Sequence, residues 1–144
     1  HDFWFMPGSF FDANGFLECA PHAWGSCDTN DQAVLLWKVL DEHAQPPVPL
    51  KPSYQFKPTP GKVVIDLFWN TFCQTSDMEA QRVREVAAEF GDTVILNEYC
   101  ADDRGVLVRH QIPRAVFVDG REIGWGYEAP KDGLREAVVQ ALHR

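Results

Sequence analysis

Hydrophobic and polar positions along the chain fall into two unlike parts. From Val63 to Trp69 the residues are almost continuously apolar, the pattern of a short strand buried on both faces. Ser76-x-x-Glu79 then reads as a capping box opening a helix, with Met78, Val83, Val86, Ala87 and Phe90 as its apolar stripe and Gly91-Asp92 as its end. Thr93–Asn97 is a second apolar run of strand length. Asp102–His110 is a weaker helical pattern carried by Val106 and Leu107, with Gly105 lowering its propensity. Ala115–Val118 and Glu122–Trp125 flank Asp119-Gly120, a pair suited to a tight primed turn, and so predict a β-hairpin. Pro130 suits the start of a last helix, with Leu134, Val138 and Leu142 on one face.

The predicted order is β-α-β-α-β-β-α. An alternating βα opening followed by an antiparallel tail implies an α/β fold, a mixed four-stranded sheet flanked by helices. Upstream the pattern changes. Six of the ten prolines fall between Gln45 and Gly61, which excludes a regular helix or central strand and predicts an extended linker. The expected organisation is an N-terminal appendage over 1–44, a linker over 45–61 and the α/β domain over 62–144.

Composition narrows the function classes. Among 144 residues, 45% are hydrophobic and 12% aromatic, enough for a packed core. A formal charge of −8 disfavours nucleic acid and anionic membranes as partners, since phosphates would be repelled. No apolar run approaches the ~18–20 residues that span a bilayer, and the first residues lack the pattern of a signal peptide. Four cysteines (19, 27, 73 and 100) are too few for a disulfide scaffold, so free thiols in a reducing cytoplasm are expected.

The chemistry concentrates in Phe68-Trp69-Asn70-Thr71-Phe72-Cys73-Gln74-Thr75-Ser76. A cysteine between a strand end and a helix start sits where helix N–H groups stabilise a thiolate. Three residues on, where a Cys-x-x-Cys pair would be completed, stands Ser76. Ser76 reads as the helix N-cap, and also as a hydroxyl able to bond a Cys73 thiolate. Cys100, after the second strand, is a weaker candidate for a second thiol, and sequence does not give its distance from Cys73. Cys19-x-x-His22-x4-Cys27 groups three ligand types, but without a fourth it reads as an ordinary loop, so no metal and no cofactor is expected.

The element order resembles the thioredoxin fold over roughly Lys62–Arg144. Phe68-Trp69-x-x-Phe72-Cys73 is similar to the family's Phe-Trp-x-x-Trp-Cys entry, Ile112-Pro113 to its cis-proline turn, and Phe117-Val118-Asp119-Gly120 to its hairpin junction. The resemblance implies Cys73 as the reactive thiol and a groove beside it formed by Trp69, Ile112, Pro113 and Arg114, holding an extended peptide or a low-molecular-weight thiol. It also implies a cis peptide at Ile112–Pro113. Two departures count: Ser76 replaces the resolving cysteine, and Leu67 stands where the family places a buried Asp, with Asp66 one residue away on the opposite face. On the residues alone, Trp69 and Trp125 read as packing, His110 as placed by the helix dipole, and Glu79, Glu85 and Glu89 with Arg82 and Arg84 as a solvated face.

The N-terminal part resembles the closing region of a GNAT N-acetyltransferase. Ser9-Phe10-Phe11-Asp12-Ala13-Asn14-Gly15-Phe16 is similar to that family's Leu-Tyr-x-x-x-Gly-Phe, with Ala33–Leu40 as its last strand. The layout resembles the YoaP-like fusions of an acetyltransferase with a thioredoxin-related extension. Phe11 stands at the position of the family's Tyr, and its pyrophosphate loop is absent from these residues. Three functions therefore fit: a thioredoxin-like accessory or thiol-binding module with one reactive cysteine beside an upstream acetyltransferase domain, a monothiol oxidoreductase forming glutathione-type mixed disulfides, or a purely structural interaction domain.

Overall fold

The computed structural model describes residues 8–21, 34–123 and 130–144. They divide into two units, His1–Pro49 and Leu50–Arg144.

In the first unit, helix α1 (Gly8–Ala13) leads into strand β1 (Leu17–Pro21), which pairs antiparallel with β2 (Val34–Trp37). Gly15, at φ 75°, makes the turn between helix and strand. Phe11 meets Phe10 and Phe16 edge to face, at centroid distances of 5.5 and 5.4 Å. The register slips between Glu18 and Ala20, and the intervening Cys19 donates its thiol to the carbonyl of Pro47 at 3.0 Å. His22 and Cys27, the other members of the cysteine-histidine group, lie outside the described residues. Of the strand expected over Ala33–Leu40, the described residues form Val34–Trp37, and Ala33 lies outside them.

The second unit is α/β, with a mixed four-stranded sheet in the order β4-β3-β5-β6. Its elements are β3 (Val63–Trp69), α2 (Gln74–Phe90), a 3-10 turn at Gly91–Thr93, β4 (Val94–Cys100), α3 (Arg104–His110), β5 (Ala115–Val118), β6 (Arg121–Glu122) and α4 (Lys131–Leu142). Strand β3 runs parallel to β4 and antiparallel to β5, and β5 runs antiparallel to β6. The apolar run of β3 is central, as its composition requires, and every residue from Val63 to Phe68 is buried.

Alternation along β3 separates two cores. Val63, Ile65 and Leu67 face Ala80, Val83, Val86 and Ala87 of α2 and Leu134, Val138 and Ala141 of α4. Each of the larger side chains contributes ~1.5–3 kcal/mol by leaving water. On the opposite face Phe68 and Phe117 pack with Ile112, Tyr54 and Tyr99. Leu142 is exposed and Ala141 takes its expected place in the core. Met78 is likewise exposed, while Ser76 and Glu79 are buried on α2.

The proline-rich segment divides differently from the expected linker. Its second half belongs to the α/β unit and forms a strap over the second face. Lys51 N–H donates to Gln111 Oε1 at 2.9 Å, and Ser53 N–H to the carbonyl of His110 at 2.7 Å. The Tyr54 ring stacks on Phe117 at 3.9 Å, and its hydroxyl donates to Asp66 Oδ2 at 2.6 Å. Prolines forbid regular structure, but the residues between them still donate and pack.

The hairpin turn has the expected conformation, with Asp119 at φ 48° and Gly120 at φ 77°. Gly120 also lies against the Phe56 ring, where a Cβ would sit 2.7 Å from the nearest ring carbon. Trp125 is outside the described residues. Among the described residues, no helix is long and apolar enough to cross a membrane.

Candidate functional site

Cys73 is the N-cap of α2, in extended conformation at φ −115° and ψ 111°. The helix thus begins earlier than the capping box predicted. Ser76 is buried in its first turn, and its hydroxyl accepts from the backbone N–H of Asn70 at 3.0 Å. Asn70 explains the early start. Its Oδ1 accepts from Cys73 N–H at 3.0 Å, its Nδ2 donates to the carbonyl of Pro113 at 2.9 Å, and the side chain is buried. Further out, Thr71 N–H and hydroxyl both bond Asp102, and the Trp69 carbonyl accepts from Ala101 N–H at 2.7 Å. The loop carrying the cysteine is therefore fixed to both the β4 end and the turn before β5.

The expected cis peptide is corrected. No peptide bond among the described residues is cis, so Ile112–Pro113 is trans. The chain instead reverses at Gln111, which adopts the left-handed conformation (φ 53°, ψ 32°) and closes α3 through its N–H to Leu107 O.

The sulfur of Cys73 is partly exposed and lies 3.1 Å from Thr75 Oγ1. Arg114 Nη1 donates to the same hydroxyl at 2.8 Å, and its Nε to Glu79 Oε2 at 2.7 Å. A guanidinium has donors only, so Thr75 accepts from Arg114. Once the sulfur is a thiolate, the hydroxyl's single hydrogen is the one between them. The result is a directed chain from Arg114 through Thr75 to Cys73. The Thr75 hydroxyl, the Ser76 and Thr75 backbone N–H groups and the Arg114 charge together hold the Cys73 thiol below its ordinary range, against a smaller desolvation effect. Burial acts to weaken proton binding by Arg114; the hydrogen bond and charge of Glu79, with Cys73, outweigh it and raise its pKa above the usual value.

The candidate residues separate accordingly. Cys73 and Arg114 come together. Ser76 is present in the helix start, with its hydroxyl engaged by Asn70 and its N–H facing the cysteine. Pro113 contributes its carbonyl to Asn70, and Ile112 is buried in the second core with only 4% exposure. Trp69 packs against the first core beneath the Arg84 guanidinium, 4.6 Å from its ring centroid. His110 serves the strap, its ring against Phe68 and Tyr99 and its Nδ1 3.3 Å from Ser53 O. Glu79 is a buried ion-pair partner, in place of the expected solvated position. Cys100 is free, next to Trp69 in the parallel register.

Thr75, Glu79 and Asn70 are the members the motif did not reveal. Asn70 had a weak local signal, since an Asn side chain readily accepts from a nearby backbone N–H in a turn, here that of Cys73 three residues on. Thr75 and Glu79 depend on Arg114, thirty-five or more positions away, and no local pattern announces that pairing.

Among the described residues, no group of three His, Cys, Asp or Glu side chains is placed to hold a metal. In comparisons with known proteins, no family model and no curated protein matches the chain.

Proposed function

We propose that the α/β unit is a thioredoxin-like, single-thiol module in which Cys73 takes up a low-molecular-weight thiol as a mixed disulfide. The observation that carries this reading is the Cys73 sulfur at the start of α2, 3.1 Å from a Thr75 hydroxyl that is itself bonded to Arg114. A helix N-terminus, a hydroxyl and a guanidinium all favour the thiolate, which is the attacking species. The step balances without a second protein sulfur. The thiolate attacks one sulfur of a small disulfide, the S–S bond breaks, and the released thiolate takes a proton from water. A second small thiol then attacks the adduct, regenerating Cys73 and the small disulfide.

In the same reading the first unit closes a GNAT-type acetyltransferase fold, and the module guides or regulates that enzyme. The support is the Phe-rich segment around Phe11 and Phe16, with Gly15 at positive φ between helix and strand.

The test is the intact mass after incubation with glutathione disulfide. A gain of one glutathionyl group is expected, kept in Cys100→Ser and lost in Cys73→Ser. An adduct that persists in Cys73→Ser at undiminished yield refutes the proposal.

A further inference from the structure

We propose that residues 50–56 form an exchangeable strap: the segment of one copy seats in the groove of a second copy, and the reverse, giving a strap-exchanged dimer. Cys73 takes no part in it.

Along the strap Tyr54 and Phe56 are half-buried, while Ser53, Gln55 and Lys57 are exposed. That alternation is the signature of an extended chain lying on a surface. Both inward residues meet a prepared partner. Tyr54 stacks on Phe117 and donates to Asp66, a carboxylate only 4% exposed. Phe56 lies over Gly120, where any side chain would collide with its ring. The strap backbone is held as well, Lys51 N–H by the Gln111 side chain and Ser53 N–H by the His110 carbonyl. All five partners lie downstream of the strap and none within it. A strap from a second copy therefore meets the same set, and exchanging an identical element preserves every contact.

What keeps the strap on its own chain is a single turn. Residues 57–62 join the strap to β3, and all of them are exposed. Within them Lys62 N–H donates to the Thr59 carbonyl at 3.1 Å, with Gly61 at φ 73°. Pro60 and Gly61 at the two central positions suit a type II turn. A Cβ at Gly61 would meet nothing within 4 Å, so the turn itself, rather than packing around it, directs the strap back. Opening this turn uncovers no apolar surface and hands one exposed hydrogen bond to water. Extended, the segment reaches roughly 20 Å, and its two prolines favour the extended form. The closed and exchanged forms thus differ only at the hinge and in the entropy of association. A short linker holds its own strap at an effective concentration on the order of millimolar, so the closed chain prevails when dilute and exchange grows with concentration.

The test is the mass of the full chain in solution, by analytical ultracentrifugation over a concentration series, for the native protein and Gly61→Val. Valine fits the open space and opposes only the positive φ, so it strains the closed turn and leaves strap and groove untouched. Gly61→Val should form dimers at concentrations roughly tenfold lower than the native chain. Adding Tyr54→Ala and Phe56→Ala to Gly61→Val should abolish the dimer, because the strap then has nothing to seat; if that combination unfolds the chain, Phe56→Ala alone is added and should weaken it. Association of Gly61→Val no stronger than that of the native chain overturns the proposal. So does a dimer undiminished by loss of the strap's aromatic anchors, which would use another surface. Should Gly61→Val fail to fold, the native chain is refolded from urea at micromolar and at millimolar concentration. A dimer formed only at the higher concentration, returning slowly to monomer on dilution, is expected, and monomer alone at both overturns the proposal.

Discussion

The side-chain amide of Asn70 donates to the carbonyl of Pro113 at 2.9 Å. With its other end it accepts from Cys73 N–H, so one buried side chain joins the cysteine loop to the turn that presents Arg114. Asn70→Ala would remove the partner of both the Pro113 carbonyl and the Cys73 N–H and loosen the helix start. We expect a loss of about 2 kcal/mol in urea unfolding, together with slower alkylation of Cys73. Asn70→Asp keeps the acceptor for Cys73 but loses the donor to Pro113, and should fall between the two. Unchanged stability in Asn70→Ala would mean that the loop is held by its other contacts.

The strap yields a second prediction. Tyr54 donates to Asp66, which is 4% exposed and also accepts from Asn97 Nδ2 at 2.9 Å. Tyr54→Phe leaves the stacking on Phe117 and removes one partner of a buried carboxylate, at an expected cost of about 1–3 kcal/mol. A chain beginning at Leu50 should fold cooperatively, whereas one beginning at Lys62 loses Tyr54 and Phe56 and should melt lower or fail to fold. Burial, the Asp66 hydrogen bond and the Asp66 charge raise the Tyr54 pKa above its ordinary 10.0. Its contribution is therefore complete below pH 10 and falls as pH rises beyond that value, where the unfolded tyrosine ionises first. Denaturation at pH 9 and 11 should show a drop in the native chain that is reduced in Tyr54→Phe.

How far the sequence revealed this arrangement depends on the range of the interactions. The β3 run, the Asp119-Gly120 turn and the Pro130 helix start are local, and each lies where its pattern predicts. Ser76-x-x-Glu79 is a local motif that tertiary partners redirected: Asn70 engages the serine and Arg114 the glutamate. Asp66 was correctly placed on the face opposite Leu67 by strand alternation. Its tyrosine partner could not be read, because Tyr54 lies in a segment whose prolines announce only irregular backbone. The same limit hid the Thr75–Arg114 pair, which depends on the turn at Gln111.

Ser76 bears on catalysis of dithiol exchange. It is 1% exposed, and its hydroxyl is bonded to Asn70, so the position contributes no second sulfur and is engaged in structure. The purified protein should not catalyse dithiothreitol-dependent reduction of insulin. A turbidity assay checks this, and activity comparable to a two-cysteine thioredoxin that survives Cys100→Ala would contradict the single-thiol reading.

The pH dependence of Cys73 follows from the causes of its shift. The Thr75 hydroxyl is the largest, followed by the Ser76 N–H, with Arg114 adding its charge. All act on the thiolate, so the folded thiol ionises more readily than a free cysteine. Iodoacetamide labelling of Cys73 should accordingly rise and level off at lower pH than that of a free cysteine. The stability contribution has the matching sign. It is present above the unfolded cysteine's pKa and is lost as pH falls through the folded value, where the thiol reprotonates and the hydroxyl loses its charged acceptor. Thr75→Val should move the labelling midpoint up, towards a free thiol, and Thr75→Ser should leave it in place. Arg114→Gln should move it up by less, since the charge is a lesser cause than the hydroxyl. Site-resolved labelling from pH 5 to 9 measures all four proteins together. A midpoint for native Cys73 at or above that of free cysteine would show that the donors around the sulfur do not serve a thiolate, and the redox reading would fall with it.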